Sequence, residues 1–365
     1  MKQAAGPDKN PRTGQNGSHS AVRVMIVDDS ITVRTAFRRI VDAAPDLYVA
    51  ASVSSAEIAI DRLQDIAVEV ILLDLDMPGM GGLEALPKLL ASAKDAQVLV
   101  VSSLTEEGAE HTLAALSMGA ADTMLKPRTG EFGTAYRAAL VERIRALGGS
   151  RRHSYKPKEV AVEPRLTRRG KRPRILAIGA STGGIHALNQ FLRKLPPKFD
   201  LPIIVTQHLP ASFVPVFARQ LEVAGARETL IADESVAIRP RTILIAPGHA
   251  HVLVRKRPSG LVTSLSIEPA ESGCMPSVDP MLGSIAEACD GEALGIILSG
   301  MGRDGLHGAR KLIAAGGTIL AQDAQTSAVW GMPRAVVEQG LASAVLPPEG
   351  LAEKVLETAG AASWI

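Results

Sequence analysis

Three residues far apart along the chain carry side chains that together could cleave an ester or an amide: Ser181, His208 and Asp304. Ser181 is the centre of GASTGG, which fits the short pattern G-x-S-x-G. The apolar run RILAIGA leads in, and GGIHALNQFLRKL, amphipathic with a basic end, leads out. A tight strand-to-helix turn at that point exposes the hydroxyl and aims backbone N–H groups at it. Gly179, Gly183 and Gly184 permit the close backbone approach such a turn needs. Alone, the pattern leaves two other roles open: Ser181 could cap the helix, or the loop could hold a phosphate. The chain has no G-x-G-x-x-G spacing here and no following Lys-Ser or Lys-Thr, which counts against a nucleotide.

A nucleophilic serine needs a base, and eight histidines are available. His208 ends the run LPIIVTQH, the next strand after the helix that follows Ser181. Neighbouring strand ends on one sheet edge bring a base within hydrogen-bond reach. His186 falls on the helix after the serine, His249 and His251 follow TILIAPG, and His307 follows the aspartate. His111 lies in the first half, His19 and His153 in polar segments. Asp304, in the Gly-rich loop of LGIILSGMGRDG, can orient and charge-stabilise the imidazole. The chain order Ser, His, Asp differs from the Ser, Asp, His of α/β-hydrolases, so geometry must decide.

A second set of residues suits phosphoryl chemistry. VMIVDDS ends a strand at Asp28 and Asp29, and VILLDLDMPGMGG ends another at Asp74. In a parallel sheet these carboxylates converge, repel one another and call for a hard divalent cation with oxygen ligands, Mg²⁺. Ser102 and Lys126 end the next strands. A metal, a hydroxyl and an ammonium around one carboxylate can hold the oxygens of a transferring phosphoryl group.

The elements that must position these groups alternate. In residues 21–147 the strand candidates VRVMIV, YVAASV, VEVILL, QVLVVS and ADTMLK are separated by stretches of helical period, which predicts a five-stranded parallel doubly wound α/β sheet. Residues 174–365 resume the alternation with RILAIGA, PIIVTQH, TILIAPG, LGIILSG and GTILAQ. Within them HAHVLVRKRPSGLVTSLSIEP predicts an antiparallel hairpin in a doubly wound, mostly parallel α/β domain. Between the halves, residues 148–173 carry nine Lys and Arg against Glu159 and Glu163 and read as a basic linker, with docking to an acidic surface or nucleic acid as the alternative. Residues 1–20, polar and rich in Gly, Pro and Asn, read as a disordered leader rather than a signal peptide.

Composition narrows the function classes. Aromatic residues are 3% of 365, so the cores are aliphatic and no base-stacking platform is expected. A net charge of +2 attracts no nucleic acid globally. Cys274 and Cys289 lack metal-ligand spacing and read as reduced thiols, and no apolar run reaches membrane-spanning length. A cytoplasmic protein is expected.

Residues 21–147, with Asp28, Asp29, Asp74, Ser102 and Lys126 at strand ends, resemble a two-component response-regulator receiver domain of flavodoxin-like fold. The resemblance implies that Asp74 accepts the phosphoryl group and that Asp28, Asp29, Asp74 and the carbonyl of Asp76 bind Mg²⁺. Ser102 and Lys126 would contact the phosphoryl oxygens. One departure is Thr123, three positions before the lysine, where receivers often carry a mobile aromatic ring. GASTGG, TQH, IAPG, PSVD and SGMGRDG resemble the catalytic domain of the chemotaxis protein-glutamate methylesterase family, CheB. That resemblance implies a Ser181–His208–Asp304 triad needing no cofactor, with the oxyanion stabilised near Thr182 and at the backbone of Met301. It further implies cytoplasmic chemoreceptor domains as substrate, through demethylation of glutamyl esters and deamidation of glutamines, and a chemotaxis histidine kinase as phosphodonor. No nucleic acid and no membrane insertion are implied. Just before PSVD, ESGCM departs from the basic or aromatic character expected at the groove rim. Two competing readings are a DNA-binding response regulator and a small-ester hydrolase with a generic receiver switch.

Overall fold

The computed structural model describes residues 21–93, 96–102, 106–127, 132–149 and 172–360. The expected leader and all but the ends of the expected basic linker lie outside the described residues. In the first half the strands are β1 (Val22–Val27), β2 (Leu47–Val53), β3 (Val70–Asp74), β4 (Gln97–Ser102) and β5 (Asp122–Leu125). The intervening helices are α1 (Ile31–Asp42), α2 (Ala56–Arg62), α3 (Gly82–Ser92), α4 (Glu106–Met118) and α5 (Thr134–Gly149). The strands form one parallel sheet in the order β2-β1-β3-β4-β5. β3 is buried at every residue, because helices cover both faces and leave no polar side to alternate with. The helices bury one stripe each: Phe37, Ile40 and Val41 of α1 lie at the three- and four-residue spacing of a helix face.

In the second half the elements are β6 (Ile175–Ala180), α6 (Gly184–Lys194), β7 (Ile203–Gln207), α7 (Val214–Gly225), β8 (Thr229–Ile231) and β9 (Ile243–Ile245). They continue with β10 (His251–Arg257), β11 (Gly260–Ser266), α8 (Val278–Ala288), β12 (Ala293–Ile297) and α9 (Leu306–Ala314). The last are β13 (Thr318–Gln322), α10 (Met332–Glu338), β14 (Ala342–Leu346) and α11 (Pro348–Ala359). Seven strands make one parallel sheet, ordered β14-β13-β12-β6-β7-β9-β8. The predicted hairpin is present as β10 and β11 but forms its own two-stranded antiparallel sheet. Two edge strands, β8 (TLI) and β14 (ASAVL), escaped the sequence reading, one for shortness and one for its small, half-polar residues.

Both sheets reverse their winding beside their first strand, and the crevice outside the strand C-termini at such a point is where ligands bind in open α/β sheets. In the first sheet that point lies between β1 and β3, and in the second between β12, β6 and β7. Register aligns the three ends, with Ile297 opposite Gly179 and Ala180 opposite Gln207. The residues that follow these strands must therefore share one rim.

Candidate active site

Ser181 directly follows β6, His208 directly follows β7, and Asp304 lies on the loop between β12 and α9. His208 Nδ1 is 3.1 Å from Ser181 Oγ, and His208 Nε2 is 2.8 Å from Asp304 Oδ2. In the neutral ring the carboxylate assigns the proton to Nε2 and leaves the Nδ1 lone pair to accept from the serine hydroxyl. The ring nitrogens are used in the reverse sense to the best-known Ser-His-Asp proteases. Ser181 does not cap α6: the cap is Gly183, in a left-handed conformation at φ 76°. A side chain at 183 would also strike Ala328 and Ser299, so the turn demands glycine. Gly300 is required for a different reason, since a Cβ there would stand 2.8 Å from the Cβ of Ser181.

Asp304 is 2% exposed and saturated with donors. Ser277 Oγ donates to Oδ1 at 2.7 Å, Gly305 N to Oδ1 at 2.9 Å and Val278 N to Oδ2 at 2.8 Å. Asp279 N adds a longer bond to Oδ1 at 3.3 Å. Ser277 is the N-cap of α8, so the positive end of that helix also faces the carboxylate. Burial pushes the Asp304 carboxyl up, but His208, Val278 and Ser277 outweigh it and hold it well below the usual carboxylate range. For His208 burial opposes the charged ring, yet Asp304 and the neighbouring Cys274 raise it to about 9.

Three other histidines of the described residues serve elsewhere. His251 is buried between Ser277 N and the Glu268 carbonyl, His307 pairs with Glu271, and His186 Nδ1 meets the Ser117 carbonyl of α4. The backbone N–H groups of Thr182 and Met301 donate to no group among the described residues. The Thr182 hydroxyl is engaged: it donates to Asp122 Oδ2 at 2.8 Å, across to β5 of the first half.

In the first sheet, one oxygen from each of Asp28, Asp29 and Asp74 lies within 4.8 Å of the others. Asp28 and Asp74 are buried and Asp29 is exposed. Lys126 Nζ sits 2.7 Å from Asp74 Oδ2 and 2.9 Å from Asp28 Oδ2. Burial pushes the Asp74 carboxyl up against the pull of Lys126. Ser102 Oγ is buried with no hydrogen-bond partner among the described residues. An all-oxygen set with one exposed member fits a hard cation such as Mg²⁺. Asp76 donates its N–H to Asp74 Oδ1 at 3.2 Å. Thr123 holds the predicted non-aromatic position, its carbonyl accepting from Arg143 at 2.6 Å.

The hydrolytic site faces the first half. A cavity of about 600 Å³ lies between the halves, lined on one side by Ser181, His208 and Met301 and on the other by Asp122, Tyr136 and Arg143. Gly183 N donates to the Ala121 carbonyl at 2.6 Å, and Arg219 of α7 pairs with Glu110 of α4 at 2.9 Å. Apolar contact joins them as well, Val329 packing into the core of the first half.

Sequence reasoning missed the support around the triad. Ser277 lay inside the noted PSVD, where a serine before a helical run signals a cap whose N–H groups need an anion. Cys274 was noted only as a departure; it stands half-buried beside His208 and Asp304. Asp122 gave no signal, because its role depends on how two separately folded sheets meet.

The CheB methylesterase family matches residues 176–355, and the response regulator receiver domain family matches residues 24–135. The protein-glutamate methylesterase/protein-glutamine glutaminase of group 2 operon from Rhodopseudomonas palustris is 37% identical over 371 residues, covering 93% of this chain and 95% of that protein. Protein-glutamate methylesterase/protein-glutamine glutaminase 2 from Caulobacter vibrioides is 42% identical over 333 residues, covering 89% of this chain and 95% of that one. The crystal structure of the Thermotoga maritima CheB methylesterase catalytic domain is 34% identical over 51% of this chain and 98% of its own, with a TM-score of 0.49.

Proposed function

The chain belongs to the CheB methylesterase family, and from that premise we propose that Ser181, His208 and Asp304 hydrolyse glutamyl methyl esters and glutamine side chains on chemoreceptors. His208 takes the Ser181 proton at Nδ1 as Oγ attacks the side-chain carbonyl. Asp304 steadies the imidazolium through Nε2, and its own donors keep it ionised throughout. The N–H groups of Thr182 and Met301 receive the charge that develops on the carbonyl oxygen. The imidazolium returns its proton to the departing methoxide, releasing methanol, or to the departing amine, releasing ammonia. Water, deprotonated by the same ring, then frees the glutamate and restores Ser181.

The first half is a receiver, so hydrolysis is phosphorylation-regulated. Asp74 accepts the phosphoryl group, with Ser102 and Lys126 on its oxygens and Asp28, Asp29, Asp74 and the Asp76 carbonyl around the cation. Bound Mg²⁺ supplies charge neutralisation at the transferring phosphoryl group. Because the receiver lies across the mouth of the hydrolytic site, the unphosphorylated chain is held closed. Phosphorylation works by weakening that boundary, a shift between two populated arrangements. Chemoreceptor cytoplasmic domains and a histidine kinase are the partners this chemistry requires. No helix among the described residues is long and apolar enough to cross a membrane.

The observation that carries the reading is the continuous Ser181–His208–Asp304 hydrogen-bond chain on one sheet rim. Methanol release from methylated receptor membranes, with and without a small phosphodonor, tests it. Ser181→Ala is expected to lose on the order of 10⁴-fold; release at the full rate by that variant would end the covalent account.

A further inference from the structure

Cys274 touches no reacting atom in the hydrolysis described above, yet its side chain stands beside the catalytic ring. One ligand atom from each of His208, Cys274 and Asp304 lies within 4.8 Å of the other two. We propose that these three residues form an inhibitory site for a borderline-soft divalent cation, zinc foremost, whose occupation takes the imidazole away from Ser181. The site rests on the assignment of His208 as the base only for its inhibitory effect, not for its ability to bind.

The donor set carries the argument. Thiolate, imidazole and carboxylate together suit zinc, or cobalt as its spectroscopic substitute, whereas the all-oxygen cluster of Asp28, Asp29 and Asp74 suits Mg²⁺. Zinc bonds to sulfur and nitrogen place ligand atoms on the order of 3.5 Å apart in a tetrahedral site, so the ring and the Asp304 carboxylate, now 2.8 Å apart, open slightly as the thiol closes in. Asp304 is already fixed by Ser277, Val278 and Gly305, and Cys274 can supply the movement, since residues 271–273 and 275 around it are exposed. Cys274, His208 and Ser181 line the same cavity, which gives the ion an entry path. On binding, the thiol and the imidazolium each release a proton to solvent. Nε2, the nitrogen beside Asp304, gives its lone pair to the metal, and the ring's remaining proton sits on Nδ1. The fourth position remains for water. The ring can then no longer accept the serine proton, and hydrolysis stops.

The chain contains two cysteines, and Cys289 is fully buried in the core, which makes sulfur–metal absorption a specific reporter. The experiment titrates the full chain with Co²⁺ and records the near-ultraviolet thiolate-to-cobalt band with the visible bands of tetrahedral cobalt. In parallel, unphosphorylated chain is assayed for methanol release against Zn²⁺, each form normalised to its own metal-free rate. The expected result is a thiolate band in the wild type that Zn²⁺ displaces and Cys274→Ser lacks. Zinc inhibition is then reversed by chelator and shifted at least about tenfold to higher concentration in Cys274→Ser. Absence of the band, its persistence in Cys274→Ser, or equal zinc inhibition of both forms overturns the proposal. A band without any metal-free methanol release would instead overturn the hydrolase reading and leave the metal site standing.

Discussion

The Thr182 hydroxyl donates to Asp122 Oδ2 at 2.8 Å, tying the residue after the nucleophile to the last strand of the receiver. The bond puts the regulatory half in direct touch with the loop proposed to receive the oxyanion. Lys126 follows the same strand and grips Asp74, so one strand touches both sites. Movement of β5 on phosphorylation would reach Thr182 without an intermediary.

Asp122→Ala should therefore raise the methanol-release rate of the unphosphorylated chain. A hydrogen bond of this kind contributes about 1 kcal/mol net, which corresponds to about a fivefold shift toward the open arrangement. The substitution also removes the pairing of Arg143 with Asp122 at 3.1 Å, a contact within the receiver, while Arg143 keeps its bond to the Thr123 carbonyl. An unchanged basal rate would place the closing contacts elsewhere, in the Arg219–Glu110 pair or the Val329 packing.

Ser277→Ala tests the support beneath Asp304. The lost bond runs to a buried carboxylate, where about 1.5–3 kcal/mol is typical, so kcat should fall by about ten- to a hundredfold. The same serine caps α8, so Tm should drop as well, by the equivalent of about 1 kcal/mol. Ser277→Thr keeps the hydroxyl and should restore most of both. A fall in Tm with kcat intact would make Ser277 a helix cap and nothing more.

Much of this was legible before any coordinates, and the reason is topological. Parallel strands bring their C-termini to one edge, so Ser181, His208 and Asp304 could be matched from the apolar runs that precede them. Asp28, Asp29, Asp74, Ser102 and Lys126 follow by the same rule. What remained hidden depends on approach between segments with no periodic signal. Cys274 reaches His208 from an irregular loop, and Asp122 reaches Thr182 only because α4 and β5 pack on α6 and the loop before it. The hairpin was readable as two strands around Pro-Ser-Gly, but its separation from the main sheet was not, since pairing within it says nothing of what lies beyond.

Asp74→Asn should leave the basal rate in place and abolish its stimulation by a small phosphodonor. The amide keeps the shape of the carboxylate but offers no anionic oxygen to phosphorylate, and it removes one of the charges that Lys126 balances. Lys126→Ala should also lose stimulation while still taking up phosphate slowly, because the ammonium bridges Asp28 and Asp74. Phosphate incorporation and methanol release measured on one sample separate the two variants. Stimulation surviving in Asp74→Asn would move the phosphoryl acceptor to another residue.

The pH profile follows from the raised His208. A general base must be neutral to accept the Ser181 proton, and a ring with pKa about 9 keeps its own proton through neutral pH. The neutral fraction at pH 7 is then on the order of one in a hundred, and it grows about tenfold per pH unit. kcat/KM should accordingly climb from pH 6 toward pH 9 before it levels. An unperturbed histidine would level just above 6.5. Cys274→Ser should move the midpoint down, because the sulfur adds to the raising influence of Asp304. Rates measured across that range decide it: a plateau already reached at neutral pH would mean that Asp304 and Cys274 do not hold the proton on the ring, and that burial, which favours the neutral imidazole, has won.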